Sequence, residues 1–258
     1  MNIVVCVKLT PDASDIQVRG DRSISLDRAE WGIGGFDLQA IEAAVQLVEA
    51  QGGKVIALSA GPQKINQSKL KKDILSRGPD ELVMVVDDAL ADADTALTAE
   101  VLAGAVRQME AVDLVLFGEG SADLYFQQVG IQVGEKLSMP TLNAVSAISV
   151  EGDLLVVERS LEEEIEVLEV STPAALSVTT DINQPRLPTM KEILRASKKT
   201  VSEKNIADLS LEISPQNAVE TINTRAPHQK QRKNITVGGT PEEAARALVG
   251  YFKREGIV

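Results

Sequence analysis

The sequence predicts an α/β protein built around a parallel β-sheet, and three observations support this fold class. Hydrophobic residues make up 44% of the 258 residues, which is enough to form a sizeable core. Short apolar runs alternate with longer segments of helical periodicity through the first two thirds of the chain. Strands joined by helices of this length form right-handed crossovers, so we expect the strands to lie parallel.

Four strands and four helices alternate before Pro140. The first strand, at 2–7, has almost no polar alternation, which is typical of a strand buried on both faces. In the first helix, apolar residues recur every three or four positions until Gly52 and Gly53 end it. The complete set is strands at 2–7, 54–59, 81–86 and 113–117 and helices at 37–51, 65–76, 94–109 and 127–137.

The pattern changes after Pro140. Segments 153–159 and 165–170 flank an acidic turn, which predicts an antiparallel hairpin at one edge of the sheet, and 173–179 predicts a strand that returns to its middle. Residues 197–234 are polar and aperiodic, which indicates an extended arm. Thr240, Pro241 and the two following glutamates are typical of a helix start, and this last helix runs to about residue 255. We therefore divide the chain into an α/β domain, 1–197, and a C-terminal arm with a terminal helix, 198–258.

The composition excludes several classes of function. The net charge is −12 and aromatic residues are only 3%, so the chain repels nucleic-acid backbones and lacks stacking faces. One cysteine and one histidine exclude a Cys/His metal cluster and an intrachain disulfide. No stretch approaches the ~20 apolar residues that a membrane span needs, and the first apolar run is too short for a signal peptide. We therefore expect a cytoplasmic protein with no metal, no nucleic acid and no membrane insertion.

Two loops that follow predicted strands are candidate anion sites, because ligands of open parallel sheets lie beyond the carboxyl ends of the strands. The loop 118–123 has two glycines and a serine, which let backbone N–H groups approach a phosphate; a plain tight turn explains the same residues. Asp94 and Thr95, with Thr98 one turn later, place polar groups at a helix start, and a simple N-cap is the alternative. Neither loop has the nicotinamide-dinucleotide or Walker pattern.

A catalytic group set cannot be assembled from this sequence. His228 lies in a polar, basic stretch far from any predicted strand end, and Cys6 lies in an apolar run that is typical of a core residue. The densest carboxylates fall on the predicted hairpin, where we expect a solvated face; they are Glu158, Glu162, Glu163, Glu164, Glu166 and Glu169. The sequence therefore favours binding a nucleotide over transforming a substrate.

One segment of opposite charge stands out. Between 186 and 199 the chain carries five basic residues against one acidic residue, a net charge of +4 inside a protein of −12. Met190, Ile193 and Leu194 lie among them, and basic charge beside flexible apolar side chains suits a transient protein contact. A surface helix with a positive face explains the segment equally well.

Five stretches together resemble a known family. They are 4–8 (VVCVK), 36–44 (FDLQAIEAA), 75–80 (LSRGPD), 118–130 (GEGSADLYFQQVG) and 181–186 (DINQPR). On these residues the chain resembles the beta subunit of an electron transfer flavoprotein, close to the FixA-type branch, over nearly its whole length. The resemblance implies a Rossmann-like parallel sheet of the adenine-nucleotide-binding (alpha-hydrolase-like) kind, with the arm and terminal helix packed on a partner subunit.

The resemblance also implies a function. Such a subunit forms a heterodimer with an alpha subunit and is an electron carrier rather than an enzyme, with flavin-based electron bifurcation as an open further role. It shares the redox FAD with the alpha subunit and holds a nucleotide of its own, which is AMP or a second FAD. Its partners would be an acyl-CoA-type dehydrogenase and another redox protein, for which a quinone-reducing flavoprotein and a ferredoxin are candidates. The flavin performs the electron chemistry and the protein tunes it.

The family's nucleotide contacts can be carried over residue by residue. The motif D-T-x-x-T, found in bifurcating members, fits here and favours FAD. The implied cofactor-binding residues are Cys6, Gly34, Gly35, Phe36, Asp37, Ala60, Asp94, Thr95, Thr98, Gly118, Glu119, Gly120, Ser121, Ala122, Asp123, Gln127, Gln128 and Val129.

The family's recognition loop, which docks on dehydrogenases, maps to 183–195 and coincides with the basic segment. A leucine commonly anchors that loop, and this chain has Met190 in its place, which is a departure from the usual partner contact. The implied partner-binding residues are Arg186, Pro188, Met190, Lys191, Ile193, Leu194 and Arg195.

Two other classes of function are open on the residues alone. A non-redox adenine-nucleotide sensor resembling universal stress proteins would use the same parallel sheet and glycine-serine loop, but it leaves the long arm and the 183–195 segment unexplained. A small-molecule dehydrogenase is the weaker alternative, since the early glycine fingerprint is missing.

Overall fold

The structure, a computed structural model, describes residues 1–209, 211, 216–228 and 232–258. Its strands are β1 (Asn2–Cys6), β2 (Leu9–Pro11), β3 (Gln17–Val18), β4 (Ile24–Ser25), β5 (Trp31–Ile33), β6 (Lys54–Gly61), β7 (Glu81–Val86), β8 (Leu114–Gly118), β9 (Thr141–Glu151), β10 (Leu154–Ser160), β11 (Ile165–Ser171), β12 (Ala174–Val178) and β13 (Thr200–Lys204). Its α-helices are α1 (Gly35–Gln51), α2 (Ser68–Ser76), α3 (Thr95–Arg107), α4 (Val129–Lys136), α5 (Met190–Ala196) and α6 (Pro241–Glu255).

Nine strands form one central sheet in the order β11-β10-β9-β12-β8-β1-β6-β7-β13. All neighbours from β9 to β13 in this order run parallel, while β10 pairs antiparallel with both β9 and β11. This mixed sheet with its covering helices confirms the predicted α/β, Rossmann-like fold class. The predicted hairpin at one edge and the predicted return of a strand to the middle are confirmed by β10, β11 and β12.

Two apolar layers, one on each face of the sheet, form the core. Residues Ile3 and Val5 of β1 point to the side of α1 and α2, and Val4 points to the side of α3 and α4. All three are fully buried, so the near absence of polar residues in β1 follows from its central position in the sheet.

Most predicted elements are confirmed with small shifts at their ends. The predicted helix at 65–76 starts later, at Ser68, because Gln63–Ile65 forms a separate turn of 3-10 helix. The terminal helix is confirmed: Thr240 and Glu243 form a reciprocal capping box, Pro241 opens the helix, and Gly256 ends it in the left-handed region. Among the described residues, no helix has the length and apolar character needed to span a membrane.

Several elements were missing from the sequence prediction. The 11-residue strand β9 follows α4 directly and pairs with both β12 and β10. The strand β13, at the start of the predicted arm, pairs with β7 and extends the sheet at its other edge. The strand β2 pairs with β5 before α1, and the short helix α5 lies in the basic segment, where a surface helix was one of the two predicted alternatives. The division of the chain at residue 197 stays a prediction.

The chain reverses its direction across the sheet at β1. From β1 it passes through α1 to β6 and then outward to β7; from β7 it returns through α3 to β8, on the other side of β1. The loops that follow β1 and β8 therefore leave toward opposite faces of the sheet and open a crevice between them. This is the topological switch point, where open α/β sheets bind their ligands.

Candidate functional site

The loops that follow β1 and β8 meet at this switch point. Lys8 comes two residues after β1, and its Nζ donates a 2.7 Å hydrogen bond to Oδ1 of Asp123. The same ammonium lies 3.4 Å from Oγ of Ser121. The structure therefore brings together two predicted residues of the glycine-serine loop and a lysine that is not among the predicted cofactor-binding residues.

Asp37, in the first turn of α1, connects three elements. Its Oδ2 accepts a 2.7 Å hydrogen bond from the backbone N–H of Lys8, and its carboxylate also accepts from the N–H of Gly118, the last residue of β8. The N–H of Gly34 donates to the carbonyl oxygen of Lys8 at 3.0 Å. One carboxylate thus holds the start of α1 against the ends of both central strands.

Burial changes the proton affinity of two predicted site residues. The side chain of Asp37 is 6% exposed, and its burial raises its pKa to about 7, although the N–H groups of Lys8 and Gly118 and the charge of Lys8 act in the opposite direction. Burial also raises the pKa of the Cys6 thiol, and the charge of Asp37 raises it further. Cys6 is therefore a protonated core residue at the end of β1, which confirms the interpretation of this cysteine as a core residue.

Gly118 is required by the close approach of α1 to β8. A Cβ atom at this position would lie 2.7 Å from Oδ1 of Asp37 and 2.7 Å from the carbonyl carbon of Phe36. Because one of these neighbours is backbone, no side-chain rotation can relieve the clash. Gly34 has more room, since a Cβ there would lie 3.3 Å from the carbonyl oxygen of Lys8, which is a tight contact rather than a clash.

The loop after Gly118 is ordered by its own polar groups and exposes apolar side chains. The N–H of Leu124 donates to Oδ1 of Asp123 at 2.9 Å, and the N–H of Tyr125 donates to the carbonyl of Ser121 at 3.1 Å. The rings of Tyr125 and Phe36 pack with centroids 5.0 Å apart. The exposed apolar residues here are Leu124, Tyr125 and Phe126.

The end of this loop leads into α4 and contacts α3. Oε1 of Gln128 accepts a 3.1 Å hydrogen bond from the hydroxyl of Thr95, and Nε2 of Gln132 donates to the same hydroxyl oxygen at 3.3 Å. Gln127 has a left-handed backbone and Val129 is the first residue of α4. Thr95, predicted from the D-T-x-x-T motif, is therefore joined to the glycine-serine loop through Gln128.

The other two residues of that motif use their polar groups within the chain. Oδ1 of Asp94 caps α3 by accepting from the N–H of Leu97 at 2.8 Å, and its Oδ2 accepts from the N–H groups of Ala218 and Val219 at 2.6 and 2.8 Å. The hydroxyl of Thr98 donates to the carbonyl of Asp94 at 2.7 Å. These bonds favour the N-cap alternative over a cofactor contact for Asp94 and Thr98.

The remaining predicted contacts lie around this centre. Ala60 is at the end of β6 and packs against the cluster that includes Val4 and Cys6. A Cβ on Gly35 would meet no heavy atom within 4 Å among the described residues, so the first turn of α1 is open on that side. Three further predicted residues, Glu119, Gly120 and Ala122, belong to the loop between β8 and α4.

A groove of about 640 Å³ lies elsewhere, next to the arm. It is lined by Asp92 and by residues of the arm from Asn217 to Thr224, and none of the predicted contacts line it. His228 is exposed on the arm, as expected for a solvated side chain. Neither feature adds a group to the strand-end site.

The predicted partner-binding residues divide into two groups. We call residues 186–195 the docking segment, after the role that the resemblance implies for them; the segment contains most of α5, whose start is closed by a capping box of Thr189 and Glu192. Met190 is 73% exposed, and Leu187, which the sequence analysis did not single out, is 85% exposed. The other exposed predicted residues of the segment are Lys191, Ile193, Leu194 and Arg195, while Pro188 is half-buried.

Arg186, in contrast, points inward. Its Nε donates to Oε2 of Glu42 at 2.7 Å, and its Nη1 donates to Oε1 of Glu49 at 2.7 Å. Burial by itself raises the pKa of Glu42, but the hydrogen bonds and charge of Arg186 lower it overall. The guanidinium of Arg186 therefore binds two carboxylates of α1, whereas the exposed side chains of the segment face solvent.

The fold and these loops define a class: a Rossmann-like α/β protein whose polar and glycine-rich loops meet beyond the carboxyl ends of its central strands. A model of the electron transfer flavoprotein domain matches residues 23–209, which is most of the chain. The chain belongs to the electron transfer flavoprotein family. Proteins of this family are electron carriers rather than enzymes, and they typically bind flavin.

The residues at the switch point fit a phosphate-bearing ligand. The ammonium of Lys8 already pairs with Asp123, but the Lys8 side chain is 44% exposed, so this ammonium and the hydroxyl of Ser121 would be the donors, and the start of α4 follows the same loop. The open side of Gly35 lets a ligand approach the first turn of α1. The half-exposed rings of Tyr125 and Phe126 provide apolar surface beside these donors.

Proposed function

We propose that this chain is the beta subunit of an electron transfer flavoprotein, of the FixA-type branch. It would form a heterodimer with an alpha subunit and carry electrons through FAD between an acyl-CoA-type dehydrogenase and another redox protein. The observation that carries the proposal is the joining of the loops after β1 and β8 by Lys8, Asp37 and Asp123 at the switch point of the sheet. The family match over residues 23–209 supports the electron-carrier part of this proposal.

The subunit's own nucleotide, AMP or a second FAD, would lie at this switch point. Lys8 and Ser121 would hold its phosphate groups, and the side chains of Gln127 and Gln128 offer further donors. Cys6 and Ala60 would supply apolar surface for the adenosine. Asp94 and Thr98 contribute less than the D-T-x-x-T motif suggests, because their polar atoms already have partners in the chain.

Flavin, when bound, accepts electrons from a reduced donor and passes them on. The residues of this chain would position the cofactor and exclude water from it. Asp37 keeps the ends of β1 and β8 together, and the loop with Tyr125 and Phe126 presents its rings on the solvent side. An electron carrier needs no general base or nucleophile, which agrees with the lack of a catalytic group set.

Co-expression with an alpha subunit tests the proposal. The complex should be yellow, and denaturation should release FAD together with either AMP or a second equivalent of FAD, identified by mass spectrometry. A colourless complex that releases no flavin would overturn the proposal. A stable homodimer that binds ATP without any flavin protein would support the nucleotide-sensor alternative instead.

The docking segment would contact the dehydrogenase. Met190, Leu187 and Leu194 form an exposed apolar group flanked by the basic residues Lys191 and Arg195, and such a group suits a transient interface with a polar rim. Changing Met190 to Ala removes the most exposed apolar side chain of α5. We expect the KM for the dehydrogenase to rise about tenfold, with flavin content and kcat unchanged. An unchanged KM would show that this segment is not the docking surface.

A further inference from the structure

The docking segment is held to the body of the protein at both of its ends. Its exposed side chains, which include Leu187, Met190 and Leu194, have little apolar contact of their own to fix their positions. The segment has one helix of seven residues, which is too short to be stable by itself. The helix α5 packs against α2 and buries Ala196, and two half-buried cations, Arg186 and Lys199, hold the chain on either side of it.

Arg186 holds the N-terminal end of the segment to α1. Its guanidinium makes four hydrogen bonds to Glu42 and Glu49, of 2.7 to 3.0 Å, and its backbone N–H donates to Oε2 of Glu42 at 3.2 Å. The side chain of Glu42 is only 6% exposed, so the acidic partner in this pair is buried, while the side chain of Arg186 is 32% exposed. Three residues earlier, Nδ2 of Asn183 donates to the backbone carbonyl of Gln39 in the same helix at 2.9 Å.

Lys199 holds the C-terminal end of the segment to the turn after α2. Its Nζ donates to three backbone carbonyl oxygens, those of Leu75 at 3.0 Å, Gly78 at 3.2 Å and Pro79 at 2.6 Å. An ammonium has three N–H donors, and each of them has one carbonyl acceptor here. The site also lies at the C-terminal end of α2, where carbonyl groups lack partners and a positive charge is favourable.

The turn that supplies these carbonyls needs its glycine. Gly78 has a φ of +129°, which a residue with a side chain rarely adopts, and a Cβ there would collide with the side chain of Val45 in α1. The LSRGPD stretch thus has a structural role: it forms a carbonyl cage for Lys199. In the same way, the DINQPR stretch supplies the side chains of Asn183 and Arg186 that contact α1.

We propose that Arg186 and Lys199 are positioning residues that preorganise the docking segment for its protein partner without contacting that partner. The inference rests on the proposed docking function and assigns Arg186 a different role from the direct contact that its sequence position implied. It adds Lys199, which lies outside the predicted partner-binding set. Each cation joins the chain next to α5 to a helix of the core. These contacts fix the position of the exposed apolar side chains relative to the rest of the protein.

The expected effect follows from the fraction of molecules in the docking-competent conformation. The apparent dissociation constant equals the intrinsic one divided by that fraction, so a fall from near one to about one tenth raises the apparent constant about tenfold. At a saturating concentration of partner every molecule is bound, and the rate of electron transfer in the complex is unchanged. A positioning residue therefore changes KM and leaves kcat the same.

The test compares Lys199→Met with Lys198→Met in the complex with the alpha subunit. Both variants remove one positive charge from neighbouring positions, but Lys198 is exposed and its substitution leaves the carbonyl cage intact. An acyl-CoA dehydrogenase reduced by its acyl-CoA substrate serves as the electron donor. We expect Lys199→Met to raise the KM for this donor about tenfold with kcat and flavin content unchanged, and Lys198→Met to leave the KM within about twofold.

Hydrogen exchange measured by mass spectrometry provides a readout that needs no electron-transfer partner. Amide exchange over 187–197 should be faster in Lys199→Met than in the wild type, while exchange over α1 and β1 should not change. Arg186→Lys is the second variant: it keeps the charge but loses the two-pronged contact with Glu42 and Glu49, and we expect the same pattern. If Lys199→Met does not fold, the comparison is made with Arg186→Lys alone.

The outcomes separate this inference from the docking proposal. Unchanged exchange over 187–197 in both variants overturns the positioning roles, whatever the kinetics show. If Met190→Ala raises the KM but Lys199→Met and Arg186→Lys do not, the segment docks and the inference is wrong. If Met190→Ala leaves the KM unchanged, the docking proposal fails and the positioning role in docking fails with it.

Discussion

Asp37 provides the sharpest test of the site, through the pH dependence of stability. Its carboxylate is buried and its pKa is about 7 in the folded chain, compared with 3.8 for the ordinary side chain. Between these two values the folded chain keeps a proton that the unfolded chain has lost. Because the folded state then binds more protons, the contribution of Asp37 to stability is greatest below about pH 4 and falls as the pH rises to about 7.

The matching substitution is Asp37→Asn, which cannot ionise. At pH 5 the wild-type carboxyl is protonated and Asn resembles it, with one oxygen that accepts from Lys8 or Gly118. From pH 5 to pH 8 the wild type ionises this buried group, and one pKa unit corresponds to 1.36 kcal/mol. The variant should therefore gain about 3 kcal/mol in unfolding free energy relative to the wild type over this range.

Urea denaturation, followed by circular dichroism at a series of pH values, measures this difference. The groups that face Asp37 are Lys8, Asp123 and the thiol of Cys6, and they are unchanged in the variant, so their own contributions largely cancel in the comparison. Replacing the exposed Asp153 by Asn changes the formal charge in the same way and serves as control. Parallel stability curves for Asp37→Asn and the wild type from pH 5 to pH 8, or a difference of the opposite sign, would refute the reasoning.

Two further predictions concern the contacts around the site. Gly118→Ala should lower the free energy of unfolding by about 2–3 kcal/mol and reduce the nucleotide content, because the new Cβ meets backbone at 2.7 Å; Gly32→Ala, where a Cβ meets nothing within 4 Å, should have little effect. Equal losses in both variants would show that the close approach to α1 is not the cause. Asp94→Asn should keep the cap of α3 but lose the acceptor for Ala218 and Val219, so hydrogen exchange at 217–224 should rise about tenfold while α3 stays protected. Faster exchange in α3 would contradict this assignment.

The order of the central elements could be predicted from the sequence because its signals are local. The apolar run at 2–7, the glycines at 52 and 53 and the proline at 79 mark where elements begin and end, and the structure confirms those elements within a few residues. The strand β9 was missed because its sequence, TLNAVSAISVE, has no clear alternation. Its pairing with β12 and β10 determines its structure, and neither partner is visible from the segment itself.

The candidate site was predictable in part. The glycine-serine loop was identified by its position after a strand, and the structure places Ser121 and Asp123 beside Lys8. Lys8 carried a signal as well, since it comes just after the first strand. The roles of Asp94 and Arg186 could not be predicted, because each depends on contacts with residues more than 100 positions away in the chain.

The sequence by itself determined the kinds of element, most of their order and the parallel arrangement of the central strands, since periodicity and turn residues act over a few neighbouring positions. Only the tertiary structure decided which strands pair, which side chains fill the crevice and which way Arg186 points. These features depend on packing and hydrogen bonds between distant segments, so their free energies belong to pairs of residues and are not encoded in either segment alone. Asp37 illustrates this: its sequence neighbours predict an ordinary acidic residue in the first turn of a helix, and only its burial between β1 and β8 raises its pKa to about 7.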